Sequence, residues 1–200
     1  MSIQVVSDER WLVLDKPSGV SVHNAEPGEQ DVLDWLREQS RDERPVHRID
    51  KGTSGLLLCA SRERAAEASS WFVEGLVQKR YLAMVSGKAR DKGVIRRALK
   101  ESGQRVEATT RYRCLERFGS FTLLEVRTET GRKHQIRRHL QSIGLPLVGD
   151  DRYGPKRPRS IKGFPGRLWL HAASLELPNG WEFESPLPVE LEQHLALLRG

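Results

Sequence analysis

From Gly93 to Val126 the chain is a succession of strand-like stretches separated by short turns: Val94-Ile95, then Val106 to Leu115, then Phe121 to Val126, with Gly119-Ser120 between the last two. Strands joined this closely pair with their sequence neighbours and run antiparallel, since a parallel pair needs a crossover of a dozen or more residues. Gln78 to Gly87 alternates in the same way, while Leu56-Leu57-Leu58-Cys59, Leu168 to Ala173 and Trp181-Glu182-Phe183 supply further strands. Trp11 to Leu14 ends at the turn Asp15-Lys16-Pro17-Ser18-Gly19, after which a strand is expected to resume at Val20. Helical spacing appears at Asp31 to Gln39, with Val32, Trp35 and Leu36 on one face, and after Thr130-Gly131, with Ile136 and Leu140 facing a core. Ser61 is the expected N-cap of another helix, with Ala65, Ser69, Phe72, Val73 and Leu76 as its buried stripe, and Pro188 opens a last one carrying Leu191, Leu195 and Leu198. The pattern predicts an α+β chain: a single domain on a long, mostly antiparallel mixed sheet flanked by helices and loops.

Two hundred residues suffice to bury one substantial core, so residues 1–200 are expected to form one catalytic domain. The net charge of +6 favours a polyanionic partner without deciding for one. Cys59 and Cys114 lie far apart and form no Cys-x-x-Cys pair, which argues against a disulfide scaffold or a zinc ribbon and for a reducing compartment. Asp8 and Glu9 stand where a signal peptide carries its apolar core, and no run approaches membrane-spanning length, so a cytoplasmic protein is expected.

The stretch richest in chemistry is Pro45 to Leu58. It sets Asp50 between Arg48 and Lys51 and follows with the flexible turn Gly52-Thr53-Ser54-Gly55. An acid among cations is favoured in its ionised form, which makes Asp50 a candidate nucleophile or base. On these residues alone a surface ion pair or turn cap is the commoner meaning, just as a tyrosine in a strand, here Tyr81, is most often cross-strand packing. His134 and His139 are five apart, whereas two metal ligands on one helix face need a spacing of four, so no metal site is expected. Pro155 to Gly163 is cationic and too rich in proline and glycine for a regular element.

His47-Arg48-Ile49-Asp50-Lys51-Gly52-Thr53-Ser54-Gly55 closely resembles the His-Arg-Leu-Asp-x-x-Thr-Ser-Gly signature of the RluA-type pseudouridine synthases, with isoleucine in place of the usual leucine. Further stretches resemble that family's motifs in order: Asp15 to Gly19, Lys79 to Ala83, Thr130 to His139, Gly144 to Gly154 and Leu168 to Ala172. The resemblance implies the pseudouridine synthase fold and an enzyme that isomerises uridine in ribosomal or transfer RNA without metal or cofactor. It implies Asp50 as the catalytic carboxylate, Tyr81 in the active site against the target base, and Arg137 paired with that aspartate. Arg48, Lys51, Arg132, His134, Arg138, Lys156 and Arg157 are the expected RNA contacts. A monomer without an appended S4-type RNA-binding domain is expected. A catalytically silent RNA-binding protein would share the basic loop but would not require Asp50, Tyr81 and Arg137 together. An RNA hydrolase would want paired histidines or a metal cluster.

Overall fold

A computed structural model describes residues 2–200. Along the chain come β1 (Gln4–Asp8), β2 (Leu12–Lys16), α1 (Val32–Glu38), β3 (Arg44–Pro45), β4 (Ser54–Ala60) and α2 (Ala65–Val73). The β-rich middle comprises β5 (Gln78–Ser86), β6 (Lys92–Arg96), β7 (Leu99–Glu101), β8 (Gln104–Val106), β9 (Thr109–Phe118) and β10 (Phe121–Thr128). Then follow α3 (Gln135–Ser142), β11 (Leu170–Glu176), β12 (Glu182–Glu184) and α4 (Val189–Arg199). The chain is α+β, and it divides into two compact units. One holds the residues up to Gln78 together with Ala172–Ser185; the other holds Lys79–His171 and Pro186–Gly200. No helix among the described residues is long and apolar enough to cross a membrane.

In the first unit the strand order is β1-β2-β4-β11, with β3 beside β4 and β12 beside β11. All seven residues of β4 are buried, which explains why it reads as a continuous apolar run. Gly55 is required there: its φ is +108°, and a Cβ would stand 2.2 Å from the carbonyl oxygen of Ala172. The core gathers Trp11, Val13, Leu56 and Leu58 with Ala68 and Trp71 of α2. Asp31 caps α1 by accepting from the amide of Asp34, whose own carboxylate accepts from the amide of Asp31.

Two expectations fail in this unit. The buried face of α2 is Ala68 and Trp71, while Val73 is 87% exposed and Leu76 lies beyond the helix. The cause is a distant partner, Trp11, whose ring meets Trp71 edge-on at 5.2 Å, and an early C-terminus at Gly75, where the amide of Leu76 bonds the carbonyl of Trp71. No strand resumes at Val20 either. The carbonyl of Val20 accepts from Lys16 and that of Ser21 from the amide of Val32, so these backbone groups are engaged locally.

In the second unit the order is β5-β10-β9-β6, with Leu124 opposite Ala83 and Val126 opposite Tyr81. Alternation gives this sheet two cores. Ala83, Val85, Leu124 and Val126 pack with Ile136 and Leu140 of α3, whereas Met84, Phe121 and Leu123 pack with Leu191 and Leu195 of α4. The expected single strand from Val106 to Leu115 is two strands. β7 and β8 form their own hairpin, turning at Ser102 and Gly103, both at positive φ. Toward the carboxyl end, His194 on α4 accepts from Trp169 Nε1 at 3.0 Å and donates through Nε2 to the carbonyl of Lys162 at 3.1 Å. A Cβ on Gly163 would strike Leu197 at 2.3 Å, so α4 sits directly against the end of the cationic loop.

Candidate active site

Asp50 lies in the turn between β3 and β4, half-buried between the buried Ile49 and Thr53. Its carbonyl accepts from the amide of Thr53 at 2.9 Å. The turn after β2 holds this loop from beneath. Lys16 is wholly buried, and its ammonium donates to the carbonyls of Pro17, Val20 and Lys51 at 2.9, 2.7 and 3.3 Å. The amide of Gly19 also donates to Lys51 O, at 2.8 Å, and the hydroxyl of Ser18 to Gly52 O, at 2.8 Å. Asp15-Lys16-Pro17-Ser18-Gly19 is thus more than a hairpin turn, because it fixes the two carbonyls that follow Asp50. On the other side of the loop, His47 accepts from the amide of Leu58 and stacks on Phe72 with ring centroids 4.3 Å apart. Lys16→Met is expected to cost about 3 kcal/mol or more, since bonds to a charged donor contribute about 1.5–3 kcal/mol and buried carbonyls would be orphaned. Denaturant unfolding checks this; an unchanged midpoint would mean the carbonyls find other donors.

The cations that bracket Asp50 in sequence turn elsewhere. Lys51 pairs with Glu29, at 2.6 Å to one carboxylate oxygen, and Arg48 approaches His23 Nε2 at 3.4 Å. Both are exposed.

In the second unit, Tyr81 is half-buried on β5 and packs against the cluster that contains Ile136 and Leu140. Arg137 is buried on α3, although the sequence pattern places Ile136 and Leu140 alone toward the core. That helix is fastened on a second face by polar groups. Gln135 donates to Thr109 O and accepts from Thr130, while His139 donates through Nε2 to Arg97 O and pairs through Nδ1 with the hydroxyl of Thr110. His139 therefore serves as a strap between α3 and the sheet.

Arg137 has a partner that the sequence did not reveal. Its Nε and Nη2 donate to the two carboxylate oxygens of Asp150 at 2.9 and 2.7 Å, a bidentate pair, and Nη2 also reaches Asp151 at 3.1 Å. The Asp150 side chain is fully buried, and the guanidinium lies 5.1 Å from the centroid of the Tyr153 ring. Burial pushes the Asp150 carboxyl up, but Arg137 and the amides of Tyr153 and Arg152 together hold it below its ordinary value. The glycines of Gly149-Asp150-x-x-Tyr153-Gly154 are steric requirements: a Cβ on Gly149 would meet Arg167 O at 2.1 Å, and one on Gly154 would meet Asp150 O at 2.1 Å. An aspartate whose side chain accepts from amides two and three residues on is an Asx turn, the local signal that marks Asp150.

Of the expected RNA contacts, Arg132 is exposed and donates to Glu107 O, and His134 is half-buried at the left-handed start of α3, bonded to the Tyr153 hydroxyl at 2.9 Å. Arg138 is half-buried, and Lys156 and Arg157 are exposed on the loop after Gly154.

A family model described as RNA pseudouridylate synthase matches residues 10–142. Ribosomal large subunit pseudouridine synthase C of Vibrio cholerae serotype O1 is 38% identical to this chain, over 98% of the chain and 69% of that protein. An uncharacterized RNA pseudouridine synthase of Bacillus subtilis, YlyB, is 36% identical over 96% of the chain and 71% of its own length. Among solved structures, human RNA pseudouridylate synthase domain containing 4 matches with a TM-score of 0.82 at 25% identity, covering 98% of this chain and 92% of that one. A match that carries the Asp50 turn, the Tyr81 strand and the Arg137 helix together places this chain in the RNA pseudouridylate synthase family, as an isomerase that converts uridine in RNA to pseudouridine.

Proposed function

We propose that the chain acts as one catalytic domain on a uridine in structured ribosomal RNA, with Asp50 as the reacting carboxylate. The observation that carries this reading is the Asp50 turn, a half-buried carboxylate whose backbone is fastened by a buried ammonium and two further donors. The isomerisation breaks the bond between ribose C1′ and N1, turns the uracil in place, joins C1′ to C5, gives the C5 hydrogen to water as a proton and takes a proton up at N1. One ionised carboxylate serves, by assisting elimination at the ribose or by adding to sugar or base, and no step calls for redox or metal chemistry. Because the reacting atoms are inaccessible in a stack, the nucleotide must be extruded, with Tyr81 as the aromatic wall against the base. Arg48 fills the vacated stack or holds phosphate. Asp150 grips Nε and Nη2 of Arg137, and the family resemblance supports Arg137 as the cation that serves Asp50. The monomer acts in the cytoplasm.

Ribosomal RNA as substrate rests on the name of the Vibrio relative. The test is tritium release from ribosomal RNA transcribed with 5-tritiated uridine, beside transfer RNA made the same way. Release from the ribosomal RNA alone is expected; release from transfer RNA alone would overturn the choice of substrate. Tyr81→Ala is expected to lose turnover while RNA affinity falls by only about 1–3 kcal/mol, the contribution of one stacked base. Tyr81→Phe separates ring from hydroxyl, and a fully active Tyr81→Ala would make Tyr81 ordinary packing.

A further inference from the structure

Among the described residues three buried side-chain polar atoms have no hydrogen-bond partner, and all lie in the first unit: Trp11 Nε1, Ser61 Oγ and Thr53 Oγ1. Buried polar atoms are nearly always paired, so each of these calls for a reason. The first two belong to the packing around α2. The Trp11 ring meets Trp71 edge-on, and Ser61 serves the helix through its carbonyl, which accepts from the amides of Arg64 and Ala65. Thr53 stands instead in the turn that carries the reacting carboxylate. It is 1% exposed, and its amide donates to the carbonyl of Asp50, which makes Asp50-Lys51-Gly52-Thr53 a β-turn with Asp50 first and Thr53 fourth.

The main chain of that turn has no need of the hydroxyl. Asp50 O takes the Thr53 amide, Lys51 O takes Lys16 Nζ and the Gly19 amide, and Gly52 O takes the Ser18 hydroxyl. Of the two hydroxyl side chains at this turn, Ser18 is thus spent on the backbone and Thr53 is not. A β-turn brings the Cα atoms of its first and fourth residues within about 7 Å, a span that two short side chains can bridge. A rotation about χ1 of Thr53 carries its hydroxyl from one staggered well to the next while the backbone bonds stay in place.

We propose that Thr53 is a positioning residue for the isomerisation: its hydroxyl donates to one carboxylate oxygen of Asp50 as that group engages the uridine, and so aims the other oxygen at the reacting atom. The proposal rests on the Asp50 reading above and adds a donor to it. A hydrogen bond made in the transition state and not in the resting chain raises kcat and leaves substrate binding alone.

The test compares Thr53→Val, which keeps the branched shape and loses the hydroxyl, with Thr53→Ser, which keeps the hydroxyl and loses a methyl group. In tritium release from 5-tritiated ribosomal RNA, Thr53→Val is expected to lose about 10–100-fold in kcat with KM unchanged, the scale of a misaimed reacting group. Thr53→Ser should retain most of the parent's turnover. The denaturation midpoint of Thr53→Val should equal or exceed the parent's, because a methyl group replaces an unpaired buried hydroxyl. A midpoint well below the parent's, or failure to fold, would mark the hydroxyl as a structural bond and overturn the proposal. Parental kcat in Thr53→Val, a loss confined to KM, or equal losses in Thr53→Val and Thr53→Ser would overturn it too. Asp50→Asn is measured beside them: its silence with full turnover by Thr53→Val defeats this inference alone, whereas turnover by Asp50→Asn defeats the reading from which it starts.

Discussion

Asp50→Asn folds like the parent, binds RNA with comparable affinity, and releases C5 hydrogen from uridine at least about 10⁴-fold more slowly, the upper end of what one positioned acid–base group supplies. The side chains are nearly isosteric, and the backbone of the turn is held by Lys16, Ser18, Gly19 and Thr53 through main-chain groups that the substitution leaves intact. What disappears is the second carboxylate oxygen and its charge, which no amide replaces. Product and substrate have the same mass, so hydrogen release is the measurement to make. Substantial release by a folded Asp50→Asn variant would falsify the role given to this residue.

The second large effect concerns Arg137 and Asp150. Breaking a buried ion pair from one side strands the other charge, at a cost of about 3–5 kcal/mol. Asp150→Asn keeps the shape and the acceptor oxygen but loses the bidentate fork, and Arg137→Met removes the cation altogether. Both are expected to unfold at lower denaturant concentration, and the double variant should be less destabilised than the sum, the signature of a direct pair. The Asp150 carboxyl is lower in the folded chain than in the unfolded one, where it titrates near about 3.9. Its contribution is therefore fully present above that value and is lost as pH falls through the depressed folded value. The stability gap between parent and Asp150→Asn should be constant near neutrality and close only toward the acid limit. Activity adds an independent reading: Arg137→Met loses most turnover, Arg137→Lys retains part because it supplies charge without the planar fork, and Asp150→Asn loses turnover without being a contact of the base. A gap unchanged down to acid unfolding, or strict additivity in the double variant, would dissolve the pair as a unit.

The fold class was legible in the chain because alternation and short turns are local signals, and β5, β9 and β10 carry them plainly. The helical faces were legible where both partners lie within one pattern, as with Ile136 and Leu140. They were not legible at α2, where the buried face is chosen by Trp11, more than fifty residues earlier. β1 was overlooked because Val5 and Val6 are both exposed and give no buried alternation. At the site, motif resemblance singled out Asp50, Tyr81 and Arg137, yet not what fixes them. Lys16 looks like a surface residue of a turn, and its burial depends on carbonyls that converge only in the folded chain. Asp150 stands beside a second, exposed aspartate, and although its Asx turn is local, the guanidinium fork that it receives comes from α3 and is visible only in the folded chain.

The strap between α4 and the cationic loop sets an order in time. His194 follows Lys162, whose carbonyl it holds, by 32 residues, and Leu197 of the same helix closes over the neighbouring Gly163. Chains emerge from the ribosome amino end first, and the earlier parts settle first. Lys16, which holds the Asp50 turn, precedes it in the chain, but β4 behind that turn waits for β11, and the base of the cationic loop waits for α4. Neither the sheet behind the carboxylate turn nor the base of the cationic loop is therefore locked until β11 and α4, respectively, have been made.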